Sequence, residues 1–243
     1  MARDSGQPAG VVCVRAHNPS PMTLDGTNSY VVEGRWVVDP GPADPAHLEA
    51  VLAAAPGRLE GVVLTHGHAD HAEGAPELAR RAGVPLHRPE GGEEIGPFSV
   101  LASPGHSADS VCLLYGEGVC FTGDTVLGEG SVFIPPDGGS LSAYLASLER
   151  LLSLPLSVLC PGHGPPVWDA AGKISEYIAH RLERERLLVE ALAAGARSED
   201  ELLDRAWSDA PPVLRPAAAL TLRTHLAKLQ EEGRLPEGLD VRR

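Results

Sequence analysis

The sequence predicts a layered α/β domain followed by a smaller helical domain. Three observations carry this. Short apolar, β-branched runs closed by turn residues recur up to about residue 170, which is the signature of strands. Capped helical patterns lie between those runs, and strands mixed with helices build layers. Beyond residue 170 the pattern is helical almost throughout.

Residues 1–10 carry no apolar period and read as a flexible tail, leaving 11–170 as one domain and 171–243 as another. Strands are predicted at Val11–Val14, Ser29–Val32, Trp36–Val38, Gly61–Leu64, Ser99–Leu101, Ser110–Tyr115, Val119–Phe121 and Ser157–Cys160. Gly116-Glu117-Gly118 separates two of them as a hairpin turn does. Asp44 followed by Pro45 is an N-cap and first-turn signal for a helix to about Ala55. Further helices are predicted over His71–Ala82, ended by Gly83, and over Leu141–Leu152.

In the second domain Ile174, Tyr177, Ile178, Leu182, Leu188, Val189 and Leu192 share one stripe at roughly 100° per residue, which makes Ala171–Ala193 a long amphipathic helix. Gly195 is placed to stop it. Ser198 with Glu201 is a capping box that opens the next helix. Pro211-Pro212 breaks the chain, and Pro216–Glu232 reads as a third helix ended by Gly233. A Pro-Glu-Gly turn within Arg234–Arg243 suggests a short hairpin. Three helices and a hairpin form a winged-helix pattern.

The chain has 243 residues, 20 basic and 33 acidic side chains, and a formal charge of −13. Residues 1–170 hold 8 basic and 20 acidic groups, a net −12, so the acidity belongs to the first domain. Such a balance disfavours salt-driven binding to phosphate backbones. No apolar run reaches membrane-spanning length, and the N-terminus lacks an apolar signal core, so a cytoplasmic location is expected. Cys13, Cys112, Cys120 and Cys160 show no CxxC spacing and lie in apolar runs, as reduced core residues do.

The chemistry concentrates in His66-Gly67-His68-Ala69-Asp70-His71, directly after a predicted strand. Histidines at i and i+2 on an extended segment project the same way and can hold one ion. An Asp and a His at the start of the next helix can turn toward a second. Mixed imidazole and carboxylate ligands suit Zn²⁺, and also Fe or Mn. One loop cannot enclose two ions, so further ligands should follow other strands. His106 in Pro-Gly-His-Ser, Asp124 in Thr-Gly-Asp-Thr and His163 in Pro-Gly-His-Gly all qualify, since open α/β sheets place their sites just past strand ends. His17, His47, His87 and His225 have no companion ligand and read as surface or helix residues.

These motifs resemble those of the metallo-β-lactamase superfamily: HGHADH matches its HxHxDH signature, and His106, Asp124 and His163 match its later ligand motifs in order. The resemblance implies an αββα four-layer sandwich with the site at one edge. It also implies His66, His68 and His106 on one metal, Asp70, His71 and His163 on a second, and Asp124 bridging both. Asn18–Tyr30, the PGHS, FTGD and PGHG segments, and Tyr177–Glu185 extend the similarity to the β-lactamase-like protein 2 group. Members of that group carry a C-terminal winged helix. Its animal members are single-strand-specific endoribonucleases, its bacterial members are described as hydrolases related to glyoxalase II, and some polyketide-pathway relatives are acyl-carrier thioesterases.

Two bound cations lower the pKa of a shared water and clamp both oxygens of a displacement. The expected reaction is therefore attack by a metal-bridging hydroxide, oriented by Asp70 as the catalytic carboxylate, on a carbonyl carbon or a phosphorus. The −12 charge of the catalytic domain favours a thioester or related acyl substrate, and the family resemblance supports single-stranded RNA as the alternative. A secreted β-lactamase is not expected without a signal core and with Asp124 where that group commonly has Cys, a β-CASP nuclease needs more than the 38 residues between Asp124 and His163, and glyoxalase II has a different, glutathione-holding C-terminal domain.

A non-catalytic, nucleic-acid-binding reading rests on the winged helix. Its third helix and hairpin carry six basic and four acidic residues, so DNA binding is not expected. The chain is expected to act as a monomer or homodimer. Asn28 is either turn chemistry or a polar group of the cleft. Arg181 lies in the apolar stripe, where pairing with Glu185 four residues on is the favoured reading. Alternatively, Arg181 joins His180 and Arg184 to receive an anionic substrate group.

Overall fold

The computed structural model of the protein describes residues 6–236. The expected hairpin in Arg234–Arg243 falls largely outside these residues, as does half of the expected tail. The described part of that tail is tied down: Val11 donates its N–H to Pro8, and Glu33 donates to the Gly10 carbonyl.

One sheet runs β1 (Val11–Arg15), β2 (Asn28–Val32), β3 (Trp36–Val38), β4 (Gly61–Val63), β5 (Leu86–His87), in that spatial order. The other runs β10 (Val158–Pro161), β9 (Val119–Gly123), β8 (Val111–Tyr115), β7 (Phe98–Ala102), β6 (Glu94–Ile95). β1 to β3 pair antiparallel and β3 to β5 parallel. β6 to β9 pair antiparallel, and β10 lies parallel to β9. The eight expected strands are all present. β5 and β6 are additional, each two residues long, too short to carry a period and defined only by their neighbours. His87 therefore sits half-buried in a strand, stacked against Trp36.

The strand period of two sorts side chains into layers. Tyr30, Val32, Trp36, Val38 and Val63 face inward and meet Phe98, Val100, Val111, Leu113, Phe121 and Cys160 of the opposing sheet. The alternate residues Val31, Val37 and Val62 face outward under α1 (Pro45–Ala53) and α3 (Ala75–Ala82). On the far side Cys112, Cys120 and Leu159 pack under α4 (Leu141–Leu152) and the first half of α5 (Ala170–Ala193). This is the four-layer αββα sandwich. All four cysteines are free thiols.

The helix expected over His71–Ala82 is instead two helices, α2 (Ala69–Ala72) and α3, interrupted at Glu73-Gly74. At the break Gly74 donates its N–H to the Gly41 carbonyl outside the helix, and Pro76 in the first turn of α3 has no N–H to bond back across it. A Cβ on Gly74 would lie 2.8 Å from Leu48 Cδ2 and 2.9 Å from the Pro42 carbonyl, so only glycine lets the chain pass this close to α1. The other caps follow the sequence: Asp44 accepts from Ala46 N, Ser140 from Ala143 N, and Ser198 with Glu201 closes a complete capping box.

The second half of α5, α6 (Glu199–Ala206) and α7 (Arg215–Glu231) enclose a separate core of Leu188, Leu192, Leu202, Leu203, Trp207, Leu222 and Leu229. Helix α5 thus belongs to both cores, with Ile174 and Tyr177 in the sandwich and Leu188 and Leu192 in the helical unit. His47 and His225 are helical as expected but buried. His47 contacts Ser29 Oγ at 2.8 Å. His225 is fully enclosed beside Trp207 with neither ring nitrogen hydrogen-bonded. No helix among the described residues is long and apolar enough to cross a membrane.

Candidate metal centre

The C-terminal ends of β3, β4, β7, β9 and β10 deliver Asp39, His66, His106, Asp124 and His163 to one edge of the sandwich. Tyr30 helps lock the two sheets there, donating its hydroxyl to the Pro161 carbonyl at 2.7 Å. His68, Asp70 and His71 arrive through the short helix α2 and its N-cap.

The structure brings all seven expected ligands together. His66, His68, His106 and Asp124 place one donor atom each within 4.8 Å of one another, and Asp70, His71 and His163 do the same beside them. Asp124 stands between the two groups. Its Oδ2 faces His106 Nε2 at 3.6 Å and His66 Nε2 at 3.9 Å, while Oδ1 faces His71 Nε2 at 3.3 Å and His163 Nε2 at 3.4 Å.

Four of the five imidazoles have one nitrogen held by the protein and the other turned toward the cluster. His66 Nδ1 lies 3.1 Å from Thr65 Oγ1, and His71 Nδ1 lies 2.9 Å from Asp39 Oδ2. His106 Nδ1 lies 3.1 Å from the Phe133 carbonyl, and His163 Nδ1 lies 3.3 Å from the Gly26 carbonyl. Such outer partners fix the ring orientation and tautomer of histidines that ligate metals. The inward atoms are short of partners: His66 Nε2 and Asp124 Oδ1 are buried without a hydrogen bond. His71 Nε2 and His163 Nε2 face each other at 3.3 Å, as do His106 Nε2 and His68 Nδ1 at 3.0 Å. Pairs of basic nitrogens this close need a shared proton or a cation, and the buried Asp124 needs positive charge. The donor set therefore suits two divalent cations.

The protonation pattern agrees. Burial works against charge on His71, but the Asp124 and Asp39 carboxylates outweigh it and hold the ring well above the ordinary histidine range. His163, also opposed by burial, is pushed up to about 9 by Asp124 and Asp70. Burial alone would raise Asp124, yet His71 and His163 hold it well below the usual carboxylate range. His66 and His106 are driven down, chiefly by burial.

Asp39 is the residue that sequence reasoning missed. It accepts from Thr65 N at 2.8 Å and Thr65 Oγ1 at 2.6 Å while contacting His71, so one carboxylate braces both the β4 exit and a ligand. The available signal was its place in Val38-Asp39-Pro40-Gly41 at the end of β3, the same position past a strand that marked the other ligands.

The four candidate substrate groups are engaged by the protein. Asn28 is buried and donates to the Pro161 and Gly164 carbonyls. Arg181 does not pair with Glu185. It is buried, donates to Ser131 Oγ and the Val132 carbonyl, and lies over the Tyr144 ring. Glu185 instead accepts from Lys228 of α7 and from Arg234. Arg184 forks onto Asp209 and also reaches the Ala206 carbonyl. His180, held down to about 4 by burial and the neighbouring Arg181 and Arg184, lies between Ser131 and Arg184.

Comparison with known proteins agrees with this geometry. The metallo-beta-lactamase superfamily description matches residues 22–97 and 86–163, and the beta-lactamase associated winged helix domain matches 198–238. The beta-lactamase-like protein 2 homolog of Drosophila melanogaster is 30% identical over 93% of this chain and 90% of its own length. A beta-lactamase domain protein from Burkholderia ambifaria shares the fold, with a TM-score of 0.80 at 21% identity over 94% of this chain and 88% of its own. The structure of TTHA1623 in a di-iron-bound form has a TM-score of 0.56 at 27% identity, over 66% of this chain and 96% of its own. The chain belongs to the metallo-beta-lactamase superfamily of metal-dependent hydrolases and carries that family's associated winged helix.

Proposed function

We propose that the protein hydrolyses a small thioester or related acyl ester, using two divalent cations held by His66, His68 and His106 on one side and Asp70, His71 and His163 on the other, with Asp124 shared. Zn²⁺ is the proposed occupant because imidazole and carboxylate donors suit it; the same donors accept iron, and TTHA1623 has a di-iron-bound form.

Bound cations supply Lewis acidity, polarising a carbonyl and making water acidic. The chain's own residues do the rest. Asp70 is the most open of the site carboxylates, with its side chain 30% exposed and Oδ2 at 3.2 Å from His163 Nε2. It is placed to accept a hydrogen bond from the attacking water and to carry a proton toward the leaving group. Thr65, Asp39, Phe133 and Gly26 keep the imidazoles from turning, so the site needs little rearrangement as charge develops.

The observation that carries the substrate class is the fate of the basic side chains. Arg181 and Arg184, the alternative anion receivers, are consumed by Val132, Ser131, Asp209 and Ala206, and the domain that holds the site carries a net charge of −12 over residues 1–170. A polyanion gains little there, whereas a neutral acyl group needs no cationic track. The test is an assay of metal-loaded protein against a panel of acyl thioesters and a labelled single-stranded RNA. Thioester turnover with intact RNA is expected; RNA cleavage without thioester turnover overturns the acyl reading.

A further inference from the structure

Three consecutive backbone carbonyls, those of Val132, Phe133 and Ile134, are each held by a different part of the molecule. Arg181 on α5 donates to the Val132 carbonyl and, at 2.9 Å, to Ser131 Oγ. His106 Nδ1 meets the Phe133 carbonyl at 3.1 Å. Thr224 Oγ1 on α7 lies 2.9 Å from the Ile134 carbonyl and 3.1 Å from the Leu220 carbonyl of its own helix. Val132 and Ile134 are buried in the sandwich core, so this strap is clamped on both sides of Phe133.

We propose that the C-terminal helical unit sets the orientation of His106 through this strap, with Arg181 and Thr224 as positioning residues. The inference rests on the reading of His106 as a metal ligand. A histidine whose Nδ1 proton is committed to a fixed carbonyl presents Nε2 as a lone pair in a defined direction. Here Nε2 faces His68 and Asp124. The carbonyl that fixes it has no regular secondary structure of its own, since Ser131–Ile134 lies between β9 and α4 outside any helix or strand. Its position is set by neighbours from α5 and α7.

This accounts for the cost of Arg181. A guanidinium that is 2% exposed, with no salt bridge among the described residues, is expensive unless its hydrogen bonds are specific. Nη2 donates to both the Val132 carbonyl and the Ser131 hydroxyl, and the Tyr144 ring lies 5.6 Å from the guanidinium carbon, while Nε is buried without a hydrogen bond. Thr224 is likewise buried, and its hydroxyl reaches out of α7 to another segment. Thr221, one turn earlier and equally buried, bonds only to Ala217 within the helix.

That contrast defines the experiment. Co²⁺ titration of the full-length, metal-stripped protein, followed by visible spectroscopy and chelator competition, resolves the two sites. Thr224→Val is expected to weaken one of the two Co²⁺ equivalents by about 10- to 100-fold, the range seen when an outer partner of a ligand is removed. The second equivalent keeps its affinity, Thr224→Ser restores the first, and Thr221→Val leaves both unchanged. Wild-type affinity in Thr224→Val, or equal weakening in Thr221→Val, overturns the proposal while leaving the metal-hydrolase reading intact. Wild-type protein that binds no Co²⁺ overturns both. If Thr224→Val does not fold, Arg181→Lys carries the same test: it is expected to weaken the same single equivalent, and unchanged affinity counts against the proposal.

Discussion

His71 is held between two carboxylates: its Nδ1 lies 2.9 Å from Asp39 Oδ2, and its Nε2 lies 3.3 Å from Asp124 Oδ1. Asp39 sits with φ at +48°, a left-handed backbone that Asn also tolerates. Asp39→Asn therefore preserves the turn and removes the charge behind the ring. We expect metal affinity to fall about 10- to 100-fold, measured by chelator competition. Unchanged affinity excludes a role for Asp39 beyond bracing Thr65.

Metal uptake must release protons. In the metal-free protein His163 holds its proton up to about pH 9, and His71 beyond the ordinary histidine range, whereas a ligating imidazole is neutral. Near neutrality both rings give up protons on binding, and affinity rises with pH until His163 is deprotonated near 9. Stability of the metal-free protein runs the other way. The raised His163 value stabilises fully below the ordinary histidine value of 6.5, and that contribution is lost as pH rises through about 9 by linkage. Calorimetry of Zn²⁺ binding in buffers of different ionisation enthalpy measures the protons released. Zero release contradicts this assignment.

Gly162 precedes His163 for a steric reason. A Cβ there would lie 2.5 Å from His71 Cε1 and 2.8 Å from Asp124 Oδ1. Gly162→Ala should push two ligands apart and abolish binding at the second group while circular dichroism stays native. Full metal content in that variant contradicts the geometry given for Asp124.

How much of this was legible in the sequence depends on whether the interactions were local. HGHADH announced itself because four donors crowd into six residues, and the Ser198 capping box because both its partners lie within one turn. Strand β2 was legible as a short apolar, β-branched run, whereas which of Tyr30, Val31 and Val32 faces which core emerges only from the packing of the sheet. Asp39 was hidden because an Asp before Pro-Gly reads as turn chemistry, and its partner His71 is 32 residues away. Arg181 was assigned to Glu185 because helix spacing is the only pairing visible locally. Its real partners, Ser131 and Val132, come from 50 and 49 residues upstream.

Glu185 shows the same point in energetic terms. Its side chain is 9% exposed and lies 2.7 Å from Lys228 and 2.5 Å from Arg234. Glu185→Ala removes both charge-assisted bonds, and Lys228 keeps Glu232 at 2.7 Å. We expect a loss of about 2 kcal/mol, the scale of hydrogen bonds to charged groups, read by urea denaturation. A change within experimental error shows the pair to be dispensable.

Seven side chains, four from the segment after β4 and one each from beyond β7, β9 and β10, converge on what we read as one two-metal site. Its most direct test is the metal content and hydrolytic activity of purified wild-type and His66→Ala proteins, measured on the same samples by elemental analysis and thioester assay. Wild-type protein is expected to hold two divalent ions per chain and turn over substrate, and His66→Ala to lose both metal and turnover. Turnover by metal-free His66→Ala protein contradicts that reading.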